Sequence, residues 1–189
     1  TAAGFGETVA PLGTALSEEQ LRELWRLVPR PILCFDPDTA GRRAAERVAE
    51  RALPLLRPGL GVRFAFLQTD TGDDPDAVAR RYSRQFLERT LADAQDLSDL
   101  LFWLETAGRR LDTAEERAAA HGRLRQRVAA ITDGTVRAAF LDTFRERLFA
   151  RSGRAGKAAT PSPPVATPTP RPPASLLADA EQTLLAVIL

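Results

Sequence analysis

Two clusters of aspartates are the residues in this sequence best suited to chemistry. Asp36 and Asp38 directly follow the apolar run ILCF, and Asp73, Asp74 and Asp76 follow a second run, VRFAFLQ. Their carboxylate oxygens are hard ligands, which favour Mg²⁺ or Mn²⁺ over zinc or copper. A metal held by such a cluster positions phosphates and offsets the charge that develops in phosphoryl transfer.

Helix capping is the alternative reading of the same residues. Asp38 and Asp74 each stand just before a helical pattern, where an aspartate caps free N–H groups and complements the helix dipole. Capping alone is the simpler explanation of either cluster. Two clusters that end successive strands favour a shared site, because ligands of open parallel sheets bind beyond the carboxyl ends of the strands.

The segments around these acids alternate between strand and helix patterns. Residues 8–12 predict a short strand, and Ser17 with Gln20 forms a capping box at the start of a helix. The run ILCF, a helix from AGRRAAERV onward and the run VRFAFLQ follow, and Asp74 with Pro75 opens a further helix. This order predicts an α/β fold with a parallel sheet flanked by helices.

The pattern becomes all-helical after about residue 83, with three apolar stripes that predict a small helical subdomain over residues 84–151. Residues 152–174 are rich in Pro, Thr and Ala, which predicts an extended linker without a packed core. Residues 175–189 resume helical spacing and predict the first helix of another module. Because the chain opens without Met at Thr1 and stops within LLAVIL, we expect an internal fragment of a longer protein.

The composition indicates a folded globular protein but does not indicate whether it binds nucleic acid. The 189 residues are 44% hydrophobic, which is enough for a core, and a net charge of +1 argues neither for nor against nucleic acid. Cys34 is the only cysteine, which excludes an internal disulfide and a cysteine-based zinc site in this chain. We expect Cys34 to be a buried thiol, and with no signal peptide or membrane span in the sequence we expect a cytoplasmic protein.

Other polar and aromatic candidates have ordinary structural explanations. His121, Trp25 and Trp103 lie on apolar helical stripes and are expected to be packed. Arg42 and Arg43 follow the first acidic cluster and are either solvated helix residues or phosphate contacts. Three further arginines have the same explanations or form a basic face for a nucleic-acid strand: Arg80, Arg81 and Arg84.

With these residues in place, the chain resembles the Toprim domain of bacterial DNA primases of the DnaG type. The stretches PLGTALSEEQLRELWR, ILCFDPDTAGRRAAERVAERALPLLRPG and VRFAFLQTDTGDDPDAVAR follow one another as they do in that family. The resemblance assigns residues 1–83 to a partial Toprim domain and 84–151 to the helical subdomain of the RNA-polymerase core. It assigns 152–174 to a linker and 175–189 to the start of the helicase-binding domain.

The resemblance also implies roles for individual residues. It makes Asp36 and Asp38 the Mg²⁺ (or Mn²⁺) ligands, gives Asp74 and Asp76 supporting metal or nucleotide roles, and makes Gly41 the residue that closes the loop. The implied activity is template-directed synthesis of RNA primers. The implied partners are a single-stranded DNA template, ribonucleoside triphosphates and the replicative helicase, and zinc would belong only to an N-terminal domain absent from this chain.

The sequence departs from the family pattern at two points. Pro37 occupies a position where the family usually has glycine, and the Toprim glutamate belongs to a strand upstream of Thr1. The isolated fragment is therefore not expected to make primers.

Three other functions are alternatives to a primase. A Toprim topoisomerase or nuclease is one alternative, although Tyr82, the only tyrosine, has no supporting motif. A dehalogenase-type phosphatase would need Thr or Val where Ala40 stands. A non-catalytic module that binds nucleotide or helicase is the third.

Overall fold

The computed structural model describes residues 8–9, 16–66, 89–149 and 185–187. The helices in this part of the chain are α1 (Glu18–Leu27), α2 (Thr39–Ala52), α3 (Leu97–Thr106), α4 (Ala114–Val128) and α5 (Gly134–Phe149), with a 3₁₀ turn at Leu53–Leu55. The strands are β1 (Thr8–Val9), β2 (Ile32–Phe35), β3 (Arg63–Phe66), β4 (Gln95–Asp96) and β5 (Leu185–Val187). The strands form one sheet in the order β1-β5-β2-β3-β4, with helices packed against it.

The two strands that precede the acidic clusters are parallel neighbours. In the β2–β3 pair, Ile32 lies opposite Arg63 and Phe35 lies opposite Phe66. The chain therefore leaves both strands at the same edge of the sheet, as the sequence predicts. The continuation of β3 that carries Asp74 and Asp76 lies outside the described residues.

Strand β2 is buried along its whole length, which explains why its sequence is a continuous apolar run. Leu33 and Phe35 face the main core, and the rings of Phe35 and Phe64 stack with their centroids 5.9 Å apart. Cys34 and Ala65 belong to a second, smaller cluster on the opposite side of the sheet. Burial on both faces anchors the strand from which the first acidic loop emerges.

Helix α1 begins at the predicted capping box. The Gln20 main-chain N–H donates to Ser17 Oγ at 3.2 Å, and the Ser17 N–H donates to Gln20 Oε1 at 2.8 Å. Trp25 is half-buried on this helix and its Nε1 donates to the main-chain oxygen of Gly61 at 2.8 Å. The expectation that Trp25 is a packed residue is therefore confirmed.

The helical region shares its core with the sheet. Leu101, Leu124 and Phe144, from α3, α4 and α5, lie in the same buried cluster as Phe35 and Phe64. The three helices therefore pack on the α/β unit and extend its hydrophobic core. Within the described ranges, no helix combines the length and apolar character needed to cross a membrane.

The prediction of a purely helical region after residue 83 is wrong at Gln95–Asp96. These two residues form β4, which pairs antiparallel with β3 and makes the sheet mixed at this edge. The Asp96 carboxylate accepts from Arg30 at 2.6 Å and lies 3.8 Å from Arg63. A two-residue strand is too short to leave an alternating pattern, and long-range contacts such as these are not visible in the local sequence.

The prediction of a continuous helix over residues 175–189 is wrong at Leu185–Val187. These residues form β5, which pairs parallel with β1 on one side and with β2 on the other. The run LLAVIL is short and continuously apolar, and such a run fits a buried strand as well as a helix. Its pairing with two strands decides between them.

Candidate metal site

The first acidic cluster forms the loop between β2 and α2. Asp36 is half-buried at the end of β2, whereas Asp38 is exposed and is the N-cap of α2. Asp38 Oδ1 accepts a hydrogen bond from the Gly41 N–H at 2.7 Å. Capping is therefore one role of Asp38, and since an ionised carboxylate can accept several bonds through two oxygens, capping leaves room for a cation.

Gly41 allows the loop to fold tightly against the helix. A Cβ atom at this position would lie 2.9 Å from both the carbonyl carbon and the main-chain nitrogen of Asp36, and closer still to the Asp36 carbonyl oxygen. Side chains do not reach such distances to backbone atoms, so any other residue would displace the main chain of Asp36. The sequence identified Gly41 only through the resemblance, and its steric role appears in the fold.

Arg42 ties this loop to the helical region. Its main-chain N–H donates to the Asp38 carbonyl at 3.1 Å, and its Nε donates to the Pro37 carbonyl at 3.2 Å. Its guanidinium carbon lies 5.3 Å from the ring centroid of Trp103, which is within the range of a cation–π contact. Arg42 is thus half-buried and held by contacts within the protein rather than freely solvated, whereas Arg43 is exposed.

Trp103 is half-buried on α3 and packs against the main core, as expected. Its Nε1 is buried and has no hydrogen-bond acceptor among the residues the structure describes. The contact with Arg42 therefore involves the face of the Trp103 ring and not its N–H group. The Arg42–Trp103 contact was not predicted, because the two residues are far apart in sequence and only the shared core of the sheet and the helical region brings them together.

The loop fits a hard divalent cation. Asp36 and Asp38 follow the carboxyl end of β2 one residue apart, in the turn that Gly41 closes, and carboxylate oxygens are ligands that such a cation prefers. Within the described ranges no group of three or more His, Cys, Asp or Glu side chains is placed to hold a metal. Further ligands would have to come from other parts of the chain, and the predicted ones, Asp74 and Asp76, lie outside the described residues.

Cys34, although close to the acidic loop in sequence, has no chemical role there. It is 2% exposed, and burial raises the pKa of its thiol to about 12. A thiol with such a pKa stays protonated at neutral pH and is a poor nucleophile.

His121 is half-buried, and its ring meets the ring of Phe149 edge-on, with the two ring centroids 5.9 Å apart. The expectation that His121 is a packed residue is therefore confirmed.

A buried ion network joins α2 to the helical region. Glu105 on α3 is buried, and its carboxylate accepts from Arg123 at 3.2 Å and from Arg127. Arg127 also reaches Glu46 on α2 at 2.7 Å. Burial lowers the pKa of Arg127, but hydrogen bonds to Glu105 and Glu46 outweigh this and leave it raised. No local pattern in the sequence indicates this network. Through Glu46 it links α2, the helix that follows the acidic loop, to the helical region.

Comparison with known proteins places these elements in a family context. Residues 1–66 match the family model for the Toprim domain. The DNA primase of Rickettsia bellii (strain RML369-C) is 33% identical over 147 residues, which cover 78% of this chain and 24% of that protein. The chain therefore spans about a quarter of the length of such relatives.

Solved structures agree with the sequence matches. A DNA primase domain from Pseudomonas aeruginosa is 34% identical and superposes with a TM-score of 0.68, covering 76% of this chain and 44% of that one. A DnaG primase catalytic domain bound to single-stranded DNA is 29% identical, with a TM-score of 0.60 over 70% of this chain and 42% of that one. Both matches extend beyond the Toprim segment, since they cover more of the chain than residues 1–66.

Proposed function

The chain is a homologue of the bacterial DnaG-type DNA primases over part of their catalytic core, and from this we propose that it contributes to RNA primer synthesis on a DNA template. The observation that carries the proposal is the Asp36–Asp38 loop. It follows a buried parallel strand, is closed by a glycine at which any side chain would displace the main chain of Asp36, and lies within the segment that matches the Toprim domain.

The proposed metal is Mg²⁺, with Mn²⁺ as its substitute. Asp36 and Asp38 would hold it, and Asp74 and Asp76 would support the metal or the nucleotide. A bound divalent ion would supply charge neutralisation for the triphosphate and for the oxygens that attack and leave. The support for this assignment is the hard-oxygen donor set of the loop together with the Toprim match.

The proposed reaction is nucleotidyl transfer. The 3′-hydroxyl oxygen of the growing RNA forms a bond to the α-phosphorus of a ribonucleoside triphosphate and gives up its proton to solvent. The bond between the α-phosphorus and the bridging oxygen breaks to release pyrophosphate. The role of this chain's loop is to hold its carboxylates in a fixed geometry as the charge shifts. Fixed charges contribute more to such a step than charges that must reorganise.

Single-stranded DNA is the proposed template, supported by the similar primase domain whose structure was solved with single-stranded DNA. The replicative helicase is the proposed partner of a C-terminal module that would begin at residues 175–189 after the linker at 152–174. Residues 1–83 and 84–151 would form the Toprim part and the helical part of the core. Zinc would belong to a separate N-terminal domain, and the working location would be the replication fork in the cytoplasm.

Primer synthesis by the full-length protein tests this proposal. Incubated with single-stranded DNA, four ribonucleoside triphosphates and Mg²⁺, the protein should make short RNA chains, and each omission should abolish them. Relaxation of supercoiled plasmid, or cutting of the DNA, without RNA synthesis would instead show a topoisomerase or a nuclease. Binding of nucleotide or helicase without any turnover would show a non-catalytic module.

A further inference from the structure

Arg42 connects the main chain between the two proposed metal ligands to an aromatic ring of the helical region. Its Nε holds the Pro37 carbonyl at 3.2 Å, and its guanidinium carbon lies 5.3 Å from the centre of the Trp103 ring. We propose that Arg42 is a positioning residue, which fixes the Asp36–Asp38 loop against α3 and thereby sets the affinity of the loop for a divalent cation. This inference rests on the proposed metal site.

Three hydrogen bonds tie the loop to helix α2, and the one to Pro37 is made by the arginine side chain. Pro37 has no N–H, so its carbonyl is the main-chain group of that residue that can be anchored. Arg42 anchors it through Nε, and the Arg42 main-chain N–H holds the Asp38 carbonyl at 3.1 Å. Gly41 N–H in turn holds Asp38 Oδ1 at 2.7 Å. The loop is therefore tied to the first turn of α2 at three points.

Trp103 gives Arg42 a rigid support. The planar guanidinium can rest on an aromatic face while its edge donates hydrogen bonds, a combination that lysine cannot reproduce. Helix α3 is itself fixed in the core through Leu100 and Leu101, which are 2% and 0% exposed. Since Trp103 lies outside the segment that matches the Toprim domain, the helical region would contribute directly to the geometry of the metal site.

The direction in which Arg42→Gln changes the metal affinity distinguishes a positioning role from a purely electrostatic one. A positive charge beside two carboxylates repels a divalent cation, so removing the charge of Arg42 should strengthen metal binding if charge were its only effect. If Arg42 holds the loop, the same change should weaken binding. Groups that orient metal ligands typically change metal affinity by about tenfold or more when they are lost.

The experiment is a Mn²⁺ titration of the full-length protein, followed by electron paramagnetic resonance. We compare Arg42→Gln and Trp103→Leu, which break the contact from opposite sides, with two matched controls. Arg43→Gln removes the same charge at an exposed neighbouring position, and Trp103→Phe keeps an aromatic face. The Asp36→Asn/Asp38→Asn variant defines the binding that belongs to this loop, and thermal unfolding of each variant shows that it is folded.

We expect Arg42→Gln and Trp103→Leu each to weaken Mn²⁺ binding about tenfold, and both controls to stay within about twofold of the parent. Once both aspartates are replaced, Arg42→Gln should have no further effect. Unchanged or tighter binding by Arg42→Gln, with a loop site still present in the parent, would overturn the inference and leave the metal site standing. Parent binding that does not depend on Asp36 and Asp38 would overturn both.

Discussion

Gly41 and Asp36 approach so closely that a Cβ atom on Gly41 would lie 2.9 Å from the Asp36 main-chain nitrogen and carbonyl carbon. The contact is with backbone, which cannot rotate away as a side chain can. The acidic loop and the first turn of α2 are therefore a single packed unit, and the position of the Asp36 carboxylate depends on the absence of a side chain at residue 41.

Replacing Gly41 by Ala tests this dependence. We expect a loss of stability of about 1–3 kcal/mol, because the main chain of Asp36 must move to accept the new methyl group. Gly122→Ala is the matched control: that glycine lies exposed within α4 with open space around it, and alanine there should stabilise the helix by about 0.5–1 kcal/mol. Thermal unfolding measures both, and equal effects of the two changes would refute the steric role.

Asp38 allows capping to be separated from metal binding. Asparagine is also a good N-cap, so Asp38→Asn should keep the bond from the Gly41 N–H and change stability by less than about 0.5 kcal/mol, while the ligand charge is lost. Asp38→Ala removes both functions and should cost about 1 kcal/mol. Unfolding curves and Mn²⁺ titrations of the two variants measure this difference. Undiminished Mn²⁺ binding by Asp38→Asn would reduce Asp38 to a helix cap.

The network around Glu105 should stabilise the junction between α2 and the helical region. Arg127→Met leaves the Glu105 carboxylate, whose side chain is 10% exposed, with Arg123 as its remaining partner. We expect destabilisation of about 1–3 kcal/mol, below the full value for a buried pair because Arg127 is itself 25% exposed. Faster amide hydrogen exchange in α3 and α4 should report this destabilisation. Arg125→Met, at an exposed position on the same helix, should leave exchange unchanged; an equal effect there would argue against the network.

Cys34 should make the protein less stable at alkaline pH. Burial raises the pKa of its thiol from 9.0 to about 12, so between these values the unfolded chain loses a proton that the folded chain keeps. The stability due to Cys34 is therefore full below pH 9 and falls as the pH rises towards 12, by about 1 kcal/mol at pH 10. Urea unfolding at pH 7 and pH 10 measures this loss. Cys34→Ala should lose less over the same interval, and an equal loss would contradict the assignment.

Local signals in the sequence were sufficient for the elements that carry the loop. The Ser17–Gln20 capping box, the buried run of β2 and the aspartate before α2 each depend on residues that are close along the chain, and each was found where predicted. The parallel pairing of β2 with β3 also agrees with the predicted strand–helix–strand order, since successive strands of such a unit are often adjacent.

Contacts between distant segments could not be read in the same way. Contacts of Asp96 with Arg30 and Arg63 accompany the β4 pairing, and a contact of Trp103 with Arg42 links the acidic loop to α3. Each of these residues fits an ordinary solvated or packed role in its own segment. Their second role arises only from the way the helical region packs on the sheet.

Primer synthesis by the full-length Asp36→Asn/Asp38→Asn protein tests whether Asp36 and Asp38 hold the metal at a site of primer synthesis. We expect RNA synthesis on single-stranded DNA to fall at least about a hundredfold, a loss typical of removing electrostatic stabilisation of a transition state, while the thermal midpoint and template binding stay close to those of the parent. Synthesis at the parent rate by a folded double variant would contradict it, and would leave the two aspartates as parts of a helix-capping loop.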